Sequence, residues 1–278
     1  MALTWRWVLT GLLAAGLYWG SVARLEGVTR SDMELGTLVK LPLFIDVALA
    51  GGDGYMAANI GAVRAMTASV DEQSQQGAGL KVLAEVEMDV SRLNPGHEDN
   101  YYVAVASLVG TAEHKSGMWI LRRAIDARPY DFIPPFFYAV YRMHYDKEIL
   151  DGAKWMRLAA ARSSDERNAM ALEKTAARWV QRGSDPLMAA KVLDAMASEA
   201  RHGSLRDYIA KRATQARQLA ELQEAAQHYG EKTGKPPSTL DALVASGFLS
   251  ALPADPVGMG YELDKKGVPA IRANKPRR

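Results

Sequence analysis

The chain has 278 residues, 48% of them hydrophobic and 24% charged, which excludes wholesale disorder and suits one large or two small domains. Its 34 basic and 32 acidic residues leave a formal charge of +2, a balance that gives no electrostatic case for nucleic acid. Cysteine is absent, so disulfides, thiolate metal sites and cysteine nucleophiles are excluded, and five scattered histidines make no dense metal cluster.

Trp7 to Ala23 form a 17-residue run without charge, between Arg6 and Arg24. As a helix the run would span roughly 25 Å, against a hydrocarbon core of about 30 Å. Trp5, Trp7, Tyr18 and Trp19 stand near its two ends, where aromatic rings favour a membrane interface. Two readings are open. One is a cleavable signal peptide, with Ser21-Val22-Ala23 as the small-x-small site. The other is a retained anchor, which the rings at the C-terminal end favour. The expectation is therefore a single-pass protein of a bacterial inner membrane, attached through Trp7 to Ala23, with the bulk of the chain periplasmic. Positive charges are nearly tied across the run, so the orientation rests on the short N-terminal tail. Gly16 and Gly20 have the spacing through which two such helices self-associate, although glycine is common in these segments anyway.

From Met33 to Tyr229 the pattern is helical: alanine is abundant and apolar residues recur every three or four positions. Asp185-Pro186 reads as an N-cap followed by proline at the first helical position, and Gly183 and Gly203 suit the left-handed position after a helix end. Pro95 and Pro129 lie 34 residues apart, which is the period of a tetratricopeptide helix pair. In that register Tyr101 opens a first helix, Val105 and Leu108 follow, and Gly117 is the small residue of a second helix. Leu121, Ala124 and Pro129 complete the unit. The next unit, from Phe132 to about Ser164, keeps Tyr138-Ala139, Met156 and Ala159 after a one-residue shift. The region from about 60 to 203 thus resembles three or four tetratricopeptide-like helix pairs, the central one carrying most of the pattern. An unrelated array of α-hairpins is the competing reading. Ser204 is expected to cap a closing helix from Leu205 to about Tyr229.

Beyond this the chain changes character. His228-Tyr229 is followed by Thr233-Gly234-Lys235-Pro236-Pro237, then by Ser238-Thr239-Leu240-Asp241-Ala242-Leu243. Next come Leu252-Pro253-Ala254-Asp255-Pro256-Val257-Gly258 and Tyr261. This order resembles the globular part of type II secretion major pseudopilins. Val257 replaces the tryptophan usual in that family, and Glu262 to Arg278 hold no counterpart of its calcium loop. The N-terminus carries no prepilin pattern, so the chain is not itself read as a pilin. Ser238 is expected to cap a short helix facing inward through Leu240, Leu243 and Val244, and Tyr261-Glu262-Leu263 to form one short strand.

The expected fold class is mainly α. It comprises an α-solenoid of tetratricopeptide-like helix hairpins, an N-terminal transmembrane helix and a small C-terminal helix-loop-strand appendage. The expected units are 1–30 (anchor), 31–203 (helical repeats), 204–229 (closing helix) and 230–278 (pseudopilin-like segment).

Enzymatic motifs are missing. His97, His114, His144, His202 and His228 lack metal-ligand spacing, no glycine-rich phosphate loop follows a strand, and no Gly-x-Ser-x-Gly elbow occurs. Asp146, Glu148 and Asp151 read as solvated loop charges. No catalytic, cofactor-binding or metal-binding residues are expected, and the chain is read as a non-enzyme. Eleven of the 22 aromatics fall between Tyr101 and Trp155, more than two short helix pairs can readily bury. Residues three or four apart share a helix face, so Tyr138, Tyr141, Arg142 and Tyr145 can form one strip. With Tyr101, they are the expected partner-binding residues; packing between hairpins is the competing reading. The functional expectation is a non-enzymatic, membrane-anchored scaffold for protein–protein contacts in the assembly of a pilus or secretion-type envelope machine. The alternative is an envelope ligand- or glycan-binding module using the aromatics of 101–155.

Overall fold

The computed structural model describes residues 2–27, 39–70 and 74–272. They form α1 (Ala2–Gly27), α2 (Leu43–Leu49), α3 (Gly54–Ala68), α4 (Gly77–Leu93), α5 (Glu98–Ser107), α6 (His114–Ala127), α7 (Ile133–His144), α8 (Ile149–Arg162), α9 (Glu166–Gly183), α10 (Pro186–Glu199), α11 (Gly203–Thr233) and α12 (Asp241–Ala245). A hairpin of β1 (Tyr261–Leu263) and β2 (Pro269–Ile271) follows. The molecule is mainly α. The boundary expected at residue 30, and the start of the helical pattern at Met33, lie outside the described residues.

Side-chain caps set several helix starts. Asp53 accepts from the N–H groups of Tyr55 and Met56 ahead of α3, and Asp165 from Asn168 ahead of α9. Asp185 accepts from Leu187 and Met188 ahead of α10, with Pro186 at the first helical position. Each carboxylate satisfies N–H groups that have no partner inside the helix. Gly234 closes α11 in the left-handed conformation at φ +73°. Gly183 and Gly203 do not play that part: one is the last residue of α9, the other the first of α11. Gly183 answers a different constraint, because a Cβ there would run into Ile149 at the start of α8. Ser204 lies inside α11 rather than capping it.

Sequential helices pack on one another. α3 lies on α4, α5 on α6, α7 on α8, α8 on α9, α9 on α10 and α10 on α11, and α6 also meets α7. Two crossings depend on glycine. A Cβ on Gly117 would stand 2.9 Å from Val109 Cγ2 and 3.4 Å from the Ala104 carbonyl oxygen. A Cβ on Gly152 would stand 2.9 Å from the Ala139 carbonyl oxygen and 3.1 Å from Met143 Cβ. Ala104 and Gly117 recur 35 residues on as Ala139 and Gly152, so the same close approach is built twice.

The core has two main blocks. One, from α3 to α6, contains Leu80, Leu83, Tyr101, Leu108, Ile120 and Leu121, with Phe137, Tyr138 and Tyr141 of α7 packed against it. The other, from α7 to α11, contains Met156, Ala176, Leu193, Met196 and Ile209. The C-terminal half of α11 carries the appendage on Leu219, Leu222, Ala225 and Ala226, which meet Leu243 and Tyr261. The β1–β2 pairing is antiparallel, with Tyr261 opposite Ile271. Sequence reading expected β1 only.

Asp255 explains the Leu-Pro-x-Asp-Pro-x-Gly loop. Its carboxylate accepts from the N–H groups of Val257 (2.8 Å), Met259 (2.6 Å) and Gly260 (2.6 Å), and from Gln215 Nε2 (2.8 Å). These bonds hold its carboxyl below the usual range although partial burial opposes them. Gln215 is fully buried and accepts from Gln181 Nε2 at 2.8 Å, so the loop is tied through α11 to α9. Tyr261 Oη donates to Gln218 Oε1 at 2.8 Å, a second tie to α11.

The N-terminal expectation requires correction. Among the described residues no helix is long and apolar enough to cross a membrane. α1 is 26 residues long, but its uncharged run between Arg6 and Arg24 is 17 residues, short of the roughly 20 apolar residues a crossing needs. Thr10, Gly11, Gly16, Gly20 and Ser21, with the amphipathic rings of Trp5, Trp7, Tyr18 and Trp19, dilute its leucines. Single-pass insertion through Trp7 to Ala23 and the inner-membrane placement built on it are overturned. No Cβ added at Gly16 or Gly20 would meet another atom within 4 Å.

Candidate interaction surface

α5 and α7 bring four rings into one ladder. Tyr102 meets Phe137 edge-on at 6.0 Å, Phe137 stacks with Tyr141 at 6.2 Å, and Tyr141 meets Tyr145 at 5.7 Å. Phe137, Tyr141 and Tyr145 follow one another at four-residue spacing, which places them on one face of α7. Tyr102 joins them from the neighbouring helix. Its two ends are open: Tyr102 is 40% and Tyr145 46% exposed. The middle rings, Phe137 and Tyr141, are half-buried against the α3–α6 core block. Burial raises the Tyr141 hydroxyl above its ordinary range, with the neighbouring Tyr145 adding to the effect.

The open end at Tyr145 is closely framed. A Cβ on Gly110 would stand 2.7 Å from Tyr145 Oη, and Gly110 has φ +88°, so glycine is required there twice over. His114 lies 5.4 Å and His144 4.9 Å from the Tyr145 ring, centroid to centroid. His114 Nε2 is 3.1 Å from Asp146 Oδ1, and Arg142 donates from NH1 to Asp146 Oδ2 (2.8 Å) and from Nε to Asp151 Oδ2 (2.7 Å).

The five residues singled out from sequence therefore separate. Tyr141 and Tyr145 belong to the ladder. Tyr138 turns away and meets Trp155 of α8 at 5.0 Å. Burial raises its hydroxyl pKa. Arg142 sits beside the ladder with its guanidinium already engaged by two carboxylates, and the bond to Asp151 leads the causes that raise its pKa. Tyr101 is 1% exposed and presents no surface. Its hydroxyl donates to Asp131 Oδ2 at 3.1 Å, and desolvation leads the causes that push its pKa up. Tyr102 and Phe137 were missed as site residues. The signal lay in the pairing of adjacent helices: Tyr102 follows the buried Tyr101, and so faces outward toward the next helix.

A second concavity, of about 390 Å³, opens between α8, α9 and the α10–α11 connection. Its floor includes Met170, Met196, Leu205 and Ile209. At its wall Arg157 reaches Glu199 (NH2 to Oε2, 2.6 Å) and Glu173 (Nε to Oε2, 3.4 Å). Burial raises the Glu173 carboxyl, with Arg157 opposing. These charges answer one another, and among the described residues no group of three or more His, Asp or Glu could hold a metal ion. No family model, curated protein or solved structure matches the chain.

Proposed function

We propose that the chain is a non-enzymatic adaptor that binds a protein partner on the Tyr102–Phe137–Tyr141–Tyr145 ladder. In this reading α3 to α10 are tetratricopeptide-like hairpins stacked as a solenoid, with α11 as the closing helix. First helices of such pairs line the concave face, where extended partners lie. The observation that carries the reading is the ladder itself: four neighbouring rings on successive first helices, its outer members exposed. Tyrosine suits such a surface because it offers a large contact area with a polar tip. A partner helix or extended peptide with apolar side chains fits best. The pseudopilin-like order of the C-terminal segment supports a place in the assembly of a pilus or secretion-type machine.

Glycan binding over 101–155 is less well supported. Sugar recognition needs free polar groups beside the rings, and here Arg142, His114, Asp146 and Asp151 are engaged with one another.

The test is a peptide library panned on the purified protein. Recovered peptides are expected to lose binding on Tyr102→Ala combined with Tyr145→Ala, and to keep it on Trp119→Ala on α6. Equal binding to both variants defeats the reading.

A further inference from the structure

α3 is amphipathic in an inverted sense. The face it turns to the core carries Ala57, Ala58, Ala62, Ala65 and Ala68, all buried, together with Gly61, where a Cβ would come within 2.8 Å of Val90 Cγ2. Its large apolar side chains point outward instead. Tyr55 is 68% exposed, Met56 50%, Ile60 47%, Val63 63% and Met66 44%, and Val70, just past the helix end, is 80% exposed. The other exposed positions on this face are Asn59 and Thr67, so the face bears no charge. Arg64 lies to the side and pairs with Asp46 of α2 at 3.3 Å. The end of a helical array normally presents a polar face to water. An uncharged stripe of large apolar side chains there marks an interface.

The order of residues along the stripe identifies the partner. Met56 and Val63 are spaced by seven within α3, Val70 continues the interval in the turn just past it, and Asn59-Ile60 and Met66-Thr67 lie between. That is the spacing of a two-helix seam. The stripe is also palindromic about Val63. In an antiparallel pair centred there, Val63 meets its own copy and Ile60 meets Met66. Met56 meets Val70, and the two polar residues, Asn59 and Thr67, meet each other. An isologous two-fold interface demands this self-complementarity, because each residue must suit the one at the mirrored position. No like charges are brought together. α1 does not lie on this face, since its described side chains, among them Trp7, Leu12, Leu13 and Leu17, are themselves exposed.

We propose that the outward face of α3 is a homodimer interface, on which a second copy of this chain docks its own α3 antiparallel about Val63. The interface is independent of the ring ladder and stands or falls separately from the adaptor reading.

The absence of cysteine makes the test clean. Val63→Cys is expected to form a disulfide-linked dimer under mild oxidation, since residues on the two-fold axis approach within bonding distance. Pre-association should make this cross-link faster, on the order of tenfold or more, than that of Tyr130→Cys on the α6–α7 connection. A mixture of Asn59→Cys and Thr67→Cys proteins should cross-link faster than either alone, which reports the antiparallel register even if Val63→Cys misfolds. Val63→Glu should convert a dimer to a monomer of unchanged helicity by light scattering and circular dichroism. A monomeric wild-type protein overturns the proposal, as does equal cross-linking of Val63→Cys and Tyr130→Cys. Cross-linking of Asn59→Cys and Thr67→Cys each with itself, as parallel helices would give, also overturns it. Protection of Val63→Cys from alkylation within a monomer assigns the face to α1 and overturns it equally.

Discussion

Glu87 is the residue whose surroundings depart most from its chemistry. It lies in α4, fully buried, with Oε1 accepting from Ser107 Oγ at 3.0 Å while Oε2 meets no hydrogen-bond donor. Asn100 Nδ2 donates to its backbone carbonyl at 3.1 Å, which fixes α4 against α5 but leaves the carboxyl unanswered. Desolvation therefore favours the neutral acid, and the pKa is pushed up from 4.5 to about 8, with the Ser107 bond opposing. In the unfolded chain this carboxyl loses its proton near 4.5, whereas in the folded chain it keeps it to about 8. The stabilisation from the retained proton is fully present below the lower value and is lost as pH rises through the upper one. It amounts to roughly 5 kcal/mol. The melting temperature should fall as pH is raised from 5 to 9. Glu87→Gln, which keeps the shape and removes the ionisation, should flatten the curve over that range; a slope unchanged in calorimetry would show that another group governs it. The sequence offers no hint of this residue, because Glu87 stands in an amphipathic α4 whose buried side mixes Leu83, Val86 and Val90 with the polar Asp89 and Ser91. A glutamate at such a position looks like any solvated one until the packing of α5 is known.

At the scale of helices, the sequence carried several helix ends well and the reasons for individual glycines less well. Pro95 and Pro129 marked the ends of α4 and α6, and Asp185-Pro186 marked the start of α10. The short helix and β1 were also legible in the C-terminal order of residues, although Ser238 does not cap the helix: it starts at Asp241 with Leu240 before it, and the Ala242 N–H donates to Thr239 Oγ1. β2 was not, because Pro269 cannot donate to a ladder and depresses any strand assignment. It is accommodated at an end of the two-stranded hairpin, opposite Leu263. Gly117 was legible from the tetratricopeptide-like register, and Gly152 became so only through the repeat of its neighbours. The two differ in what surrounds them. The nearest atom to a Cβ at Gly117 is a Val109 methyl, which a rotamer change can displace. At Gly152 it is the Ala139 carbonyl oxygen, with the Met143 N–H at 3.2 Å, and backbone moves only if the helices separate. Overpacking a helix crossing costs about 1–3 kcal/mol. Gly152→Ala should lie at the upper end of that range and Gly117→Ala near the lower, with Gly117→Leu more costly than Gly117→Ala. Chemical denaturation of the three variants measures the order. A Gly117→Leu protein as stable as wild type would refute the α5–α6 crossing described above.

On the scale of the whole molecule, the difficulty is to tell a surface from a core when both are built of tyrosine. Composition pointed to the region between Tyr101 and Trp155, and helical spacing placed Tyr141 and Tyr145 on one face. Neither could reveal that Tyr101 turns inward while its neighbour turns outward, since that depends on how α5 is rotated against α4 and α6. The pair Tyr101 and Tyr102 now provides the sharpest contrast. Their rings lie 4.6 Å apart on one helix, yet Tyr101 is 1% exposed and Tyr102 40%. Tyr101 fills the α3–α6 core block, bonds Asp131, and lies under the Arg128 guanidinium at 5.8 Å. Removing it leaves a cavity beneath the Arg128 guanidinium and takes one of two donors from Asp131 Oδ2, which Arg128 Nε still holds at 2.8 Å, so Tyr101→Ala should cost about 3–5 kcal/mol and lower the melting temperature sharply. Tyr102→Ala removes a ring already half in water, and Tyr145→Ala does the same at the other end of the ladder. Each should cost about 1 kcal/mol or less and leave the helical signal intact. A binding surface requires that asymmetry, because rings reserved for a partner contribute little to the fold that presents them. If Tyr102→Ala or Tyr145→Ala unfolds the protein as readily as Tyr101→Ala does, the ladder is interior packing between hairpins and the adaptor reading loses its support.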